Sequence, residues 1–183
     1  MVSASIKSSE IRFGECNKKL LEEVIFYGIS LGADFVELFI ENSDNSSVLA
    51  EEDFITNVSP SFSKGAGIRI FKDKRDGFVS TNDLSKHGLM RSISQAIEML
   101  DISKKTNKLI FNGLEKLKDY SKSKISWLNE VPTINEVSEK LLLSTKSLKK
   151  DKKVVVRKGS YARNWQEVII ASSDGTYATD IRL

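Results

Sequence analysis

Hydrophobic positions recur at helical spacing in three stretches of the chain and alternate at strand spacing through much of the rest. Over residues 16–31, Leu21, Val24, Ile25, Gly28 and Leu31 share one face while Lys18, Lys19, Glu22 and Glu23 cover the other. This predicts an amphipathic helix stopped by Gly32. Leu89, Ile93, Ala96, Ile97 and Leu100 repeat the pattern after Asn82, Asp83 and Ser85, whose side-chain oxygens suit the free amides of a helix start. A third helix follows Pro132. Thr133 and Glu136 have capping-box spacing, so each side chain can serve the other's backbone amide. Ile134, Val137, Leu141 and Leu148 are its inward set, and the lysines over 149–153 complement the dipole at its end.

Between these helices the spacing shortens to two. Residues 34–41 set Val36, Leu38 and Ile40 against Phe35, Glu37 and Phe39, a strand with one fully apolar face. A polar turn over 42–45, a second strand near 47–52 and an irregular stretch over 53–63 containing Pro60 are expected next. In KGAGIRIFKDKRDGFVSTNDL, residues 64–84, Gly65 and Gly67 precede Ile68 to Ile70, where glycine permits a bulge or a close backbone approach. A polar loop over 72–76, Asp76-Gly77 and the run 78–81 complete a hairpin. Further on, 154–161 and 167–171 read as strands, and Asp174-Gly175 marks another hairpin turn. The last strand, TYATDIRL, still alternates at Leu183, as in a chain cut in mid-sheet. Residues 101–131 are lysine-rich and weakly periodic, a connection holding one short helix around Leu109, Ile110, Phe111, Leu114 and Leu117. The order helix, strand, turn, strand at 16–52 recurs at 133–171, each followed by a glycine-marked strand, which predicts an internal repeat. Together these elements give an α+β fold: a curved, mostly antiparallel sheet with helices packed on one side.

Composition narrows the classes. At 183 residues, 40% of them hydrophobic and 29% charged, the chain can bury one good core or two small ones. The net charge of +3 is too small to imply a polyanionic partner. The lysine clusters at 116–124 and 146–158 lack interleaved arginines and aromatics, so they read as solvated surface rather than a nucleic-acid site. A single cysteine, Cys16, excludes an internal disulfide and a multi-cysteine zinc site, and fits a reducing compartment. The first ten residues lack the apolar core of a secretory signal, and Glu22, Glu23, Asp34 and Glu37 interrupt the most apolar region. No stretch approaches the roughly 20 apolar residues that span a bilayer. A cytoplasmic protein without a membrane partner is expected.

Candidate chemistry is sparse. His87 falls in the first turn of a helix, a surface position, and Glu51, Glu52 and Asp53 read as the solvated end of a strand. Phosphate-binding glycines join a strand to a helix, whereas Gly65 and Gly67 lead into a strand. Arg69 faces away from Ile68 and Ile70, and Glu37 is its expected structural partner.

Four segments in order carry a family resemblance. They are the strand entry from Gly32 with Glu37, the G-x-G-hydrophobic-Arg-hydrophobic strand from Gly65 to Ile70, the segment from Gly77 through Asn82 to Leu84, and the strand that ends in Ser-Asp-Gly at Gly175. This pattern resembles the amino-terminal region of the TldD/PmbA family, metallopeptidase-like proteins with a historical label as modulators of DNA gyrase. The resemblance implies one domain over 1–183, with sub-units at about 15–101 and 133–183 joined by the connection 102–132. It also implies that catalysis belongs to a carboxy-terminal domain with a His-Glu-x-x-x-His zinc motif and a cysteine ligand, absent here. One histidine and one cysteine cannot supply the three histidine or cysteine ligands that the resemblance implies, so no catalytic, cofactor or metal residue is expected in this chain. Glu37, Gly65, Gly67, Arg69, Gly77 and Asn82 are its structural candidates. By the same resemblance the partners are a TldD/PmbA-type subunit in a homo- or hetero-dimer, a peptide substrate for the complete protein, and no nucleic acid. A free-standing interaction module pairing with a catalytic partner is the alternative, and a small unrelated ligand-binding domain is a third.

Overall fold

The structure is a computed structural model that describes residues 13, 16–100, 111–116 and 132–182. The three helices form where the apolar period and their caps agree. Helix α1, Lys18–Ser30, is capped by Asn17, whose side chain accepts from the Leu20 amide, and Gly32 leaves it at φ 102°. Helix α2, Lys86–Met99, is capped by Ser85 accepting from the Gly88 amide, so neither Asn82 nor Asp83 is the cap. Asp83 instead accepts from the Ser85 amide, which helps to hold its carboxyl below the ordinary range. Helix α3, Ile134–Leu148, carries the reciprocal capping box: Thr133 donates its amide to Glu136, and the Glu136 amide donates to the Thr133 hydroxyl. Only part of its expected inward face is covered, since Val137 and Thr145 are buried while Ile134 and Leu148 are exposed.

The strands are longer than the alternation suggests. What read as two strands and a turn is one strand, β1, Phe35–Glu51. The stretch expected to be irregular lies inside β2, Phe54–Lys72. Strand β3, Arg75–Thr81, follows, and the polar loop expected over 72–76 tightens to the two-residue turn Asp73-Lys74, which leaves Asp76 and Gly77 inside β3. Both turn residues have positive φ, 48° and 65°, the geometry of a two-residue hairpin, and the Asp34 carboxylate fixes it by accepting from the Asp73 amide. The expected strands at 154–161 and 167–171 are a single β5, Lys158–Ser172, which turns through Gly175 at φ 100° into β6, Thr176–Arg182. The order helix, strand, strand thus occurs twice, as α1-β1-β2 and α3-β5-β6. A two-residue β4, Glu115–Lys116, pairs in parallel with β6. Residues 111–114 before it are not helical, so the short helix expected around Leu109 to Leu117 does not form over the described residues 111–116, while 109, 110 and 117 lie outside them.

The sheet runs β3-β2-β1-β5-β6-β4, antiparallel except at β4. In β1 the even positions Val36, Leu38 and Ile40 face α1 and α2, opposite Ile70, Ile68 and Ala66 of β2 and near Ile169 and Ala171 of β5. Leu21, Val24 and Ile25 from α1 and Leu89, Ile93 and Ala96 from α2 close this core. Enclosing each large aliphatic side chain contributes about 1.5–3 kcal/mol. Gly28 permits the approach: a methyl there would stand 2.8 Å from Val36 Cγ2 and 3.3 Å from Ile93 Cγ2. Helix α3 covers the far half of the same face, with Leu141 and Thr145 above Gly159, which pairs with Ala50.

The pair Lys72–Arg75 closes a two-residue hairpin, so even positions of β2 send their N–H and C=O groups towards β3 and odd positions towards β1. Strand β3 reaches only Ala66, and among the described residues no strand pairs with the outer side of β2 before it. Pro60 lies at one of these outward positions, where its missing N–H interrupts the open edge.

Candidate functional site

Five of the six structural candidates lie on or beside the seam between β2 and β3, and Glu37 stands next to them on β1; Gly77 alone faces α2. Gly77, beside Ile70 in the register, is buried against α2; a methyl there would stand 2.9 Å from the Ala96 carbonyl oxygen. Gly67 faces the opposite side and leaves room for the Phe78 ring, 3.1 Å from where its methyl would be. Gly65 does the same for Asn82, whose Oδ1 lies 3.0 Å from that position. The glycines therefore admit a helix on one face, an aromatic ring on the other and a connecting loop at the edge.

Arg69 and Glu37 are direct neighbours across β1 and β2. The expected ion pair between them gives way to another: the Arg69 guanidinium donates to Asp76 Oδ2 at 3.0 and 3.2 Å and lies 4.5 Å above the Phe71 ring. Phe71 in turn meets Phe35 edge to face, centroids 5.9 Å apart. Asp76 is placed across the hairpin opposite Phe71, on Arg69's own face. The two-residue turn, tighter than the loop expected over 72–76, places this nearer carboxylate in β3.

Two ionic locks escaped the sequence pattern. Lys72, almost wholly buried, donates to Asp34 Oδ1 at 2.8 Å and ties the β2–β3 turn to the entry of β1. At the opposite end Arg157 is buried beneath the β1–β2 turn. It donates to Asp53 Oδ1 at 3.1 Å and to the Thr145 carbonyl at 3.2 Å, and also to Glu52. Its amide donates to Glu52 Oε1, and the Glu52 amide donates back to the Arg157 carbonyl. Backbone and side-chain bonds from Arg157 hold the Glu52 carboxyl below its ordinary range. Burial pushes the Asp53 carboxyl up, but Arg157 and Lys149 outweigh it and leave it lowered. Glu52 and Asp53, still partly exposed beside the end of β1, thus also anchor α3. A backbone φ of 55° at Glu52 marks the tight turn, a signal that side-chain types do not carry.

The one histidine and the one cysteine of the sequence lie in unlike surroundings. Cys16 is buried, its thiol donating to the Leu84 carbonyl, and burial pushes it up to about 11 against a small opposing effect of Lys64. His87 is exposed at the start of α2. Among the described residues no group of three histidine, cysteine, aspartate or glutamate side chains is placed to hold a metal ion, and no helix is long and apolar enough to cross a membrane.

Two family models match this chain. PmbA/TldA metallopeptidase domain 1 covers residues 36–100, which includes the seam, and the PmbA/TldA metallopeptidase central domain covers 127–183. The β1–β5 pairing and the Arg157 lock join these two regions in one sheet. The metalloprotease TldD homolog of Buchnera aphidicola is 23% identical over 159 residues, covering 81% of this chain and 30% of that protein. Among solved structures, TldE from Thermococcus kodakarensis shares the fold at a TM-score of 0.71 and 22% identity, over 88% of this chain and 36% of that one. A putative modulator of DNA gyrase from Bacteroides thetaiotaomicron does so at 0.66 and 19%, over 91% and 39%. The chain spans about a third of the length of these relatives. With both matched regions in the order domain 1, central domain, and the fold in agreement, the chain belongs to the PmbA/TldD metallopeptidase family.

Proposed function

We propose that this chain is the non-catalytic amino-terminal part of a TldD/PmbA-like zinc metallopeptidase, a scaffold for dimerisation with a family subunit and for the groove that receives a peptide substrate. The observation that carries this reading is the pairing of domain 1 and central-domain matches with a sequence holding one histidine and one cysteine. Zinc hydrolysis needs three protein ligands and an open position for water. Zinc, where bound, would polarise that water; the ligands for it belong to the carboxy-terminal domain that the family resemblance implies. What this chain contributes is placement. Its helices brace one face of a long sheet, Asp34–Lys72 and Arg157–Glu52 lock its two ends, and its strand edges offer backbone groups to an extended peptide.

The test is the coding region beyond codon 183. An open frame continuing into a His-Glu-x-x-x-His segment is expected. A stop codon there would overturn the reading in favour of a free-standing module that pairs with a catalytic subunit.

A further inference from the structure

The odd positions of β1 and their neighbours form a sheet face that none of the three helices covers. Phe78, Arg69, Glu37 and Ser172 lie in one row across it; Ser80, Gly67, Phe39 and Ile170 in the next; and Glu41 stands between Gly65 and Val168. Phe78 is 61% exposed, and beside it Arg69 is held flat on Phe71 by Asp76, set in place without a partner's help.

The composition of this face is unlike that of the chain. Of the 28 basic residues 21 are lysine, yet the rows of this face from Phe35 to Glu41 contain none, while they hold Phe35, Phe39, Phe71, Phe78 and Arg69. Loss of lysine with gain of phenylalanine and arginine is the signature of a protein interface and not of a solvated surface. Charge then limits the occupant. Arg69 is matched by Asp76, but among the described residues neither Glu37 nor Glu41 is in an ion pair. Two copies laid face to face would oppose carboxylates to carboxylates, and a nucleic acid would be repelled. We infer that the face around Phe78, Phe39 and Glu37 receives a folded protein layer that is apolar at its centre and places lysine or arginine over Glu37 and Glu41. The inference deepens the scaffold reading and rests on it for the source of that layer, the catalytic metallopeptidase region or subunit. The relatives have the length to supply it, since about two thirds of each lies outside the part this chain matches.

The test replaces Phe78 with the photo-crosslinking residue p-benzoylphenylalanine in the full chain, in its own cells, and identifies the joined peptide by mass spectrometry. Replacing Phe26, equally exposed on α1, is the control. The expected result is an adduct from position 78 to a peptide of apolar and basic character, weak or absent from position 26, with its yield cut about tenfold by Glu37→Arg with Glu41→Arg. If circular dichroism shows that the double reversal does not fold, Glu37→Gln with Glu41→Gln is read instead, with a smaller drop expected. No adduct at 78, an adduct to a second copy, or a yield indifferent to both charge variants would overturn the inference. A partner without the zinc motif would remove the scaffold reading and leave the face standing. A motif-bearing partner reached only from position 26 would do the reverse.

Discussion

Gly77→Ala asks whether the glycines of the seam are there for packing. The added methyl would stand 2.9 Å from the Ala96 carbonyl oxygen and 3.2 Å from Leu100 Cγ, between a strand and a helix that are both fixed by the core. Overpacking of this kind costs about 1–3 kcal/mol. The lower entropy of the unfolded alanine chain returns about 0.4–1 kcal/mol, so a net loss of about 0.5–2 kcal/mol is expected. For a chain of this size that lowers the melting temperature by roughly 1–8 °C. Gly67→Ala is the internal comparison. Its methyl would meet only the Phe78 ring, at 3.1 Å, and an exposed ring can rotate away. Its effect should stay within about 0.5 kcal/mol of zero. Urea unfolding followed by far-ultraviolet circular dichroism reads both. Equal midpoints for Gly77→Ala and the parent, or a larger loss for Gly67→Ala, would refute the packing account.

Three further outcomes are expected. Because Arg157 holds the Glu52 and Asp53 carboxyls low, their contribution is complete at neutral pH and is lost as the pH falls below the ordinary carboxylate range near about 4; Arg157→Ala should therefore lower the urea midpoint at pH 7 and shrink its drop between pH 7 and 3.5, whereas an unchanged acid sensitivity would count against the lock. Pro60→Thr restores an outward N–H to the open edge of β2 and should make the sedimentation coefficient rise with concentration; a concentration-independent value would mean that Pro60 does not guard the edge. With its thiol pushed up to about 11 by burial, Cys16 should react with iodoacetamide at pH 8 about a hundredfold more slowly in the folded chain than in urea, and comparable rates would contradict its enclosure.

The helices were legible because the apolar period marked all three, and at two of them the caps the sequence offered, Ser85 and the Thr133–Glu136 pair, agreed with it; Asn17, which caps α1, is not among the caps expected. The strands were legible only where a helix covers one face, as at Val36 to Ile40. Beyond Glu41 the run ENSDNSS remains strand because β2 and β5 pair with it on both sides, and backbone bonds need no apolar alternation. The same holds for the serine-rich first half of β2. The hairpin loop reads too long in the sequence, over 72–76, because Asp73 and Lys74 adopt positive φ without glycine, under the grip of Asp34, a residue 39 positions away. Register explains the Arg69 outcome as well: Glu37 is its cross-strand neighbour, but Asp76 approaches from the hairpin side, and the tight two-residue turn brings it there. Arg157 was lost among lysines because burial, not residue type, sets it apart.

Zinc content and peptide hydrolysis of the purified 183-residue chain, measured on the same sample, bear most directly on the claim that it is scaffold. Far less than one zinc per chain and no cleavage of an extended peptide are expected. One bound zinc per chain, with cleavage that a chelator abolishes, would contradict the account.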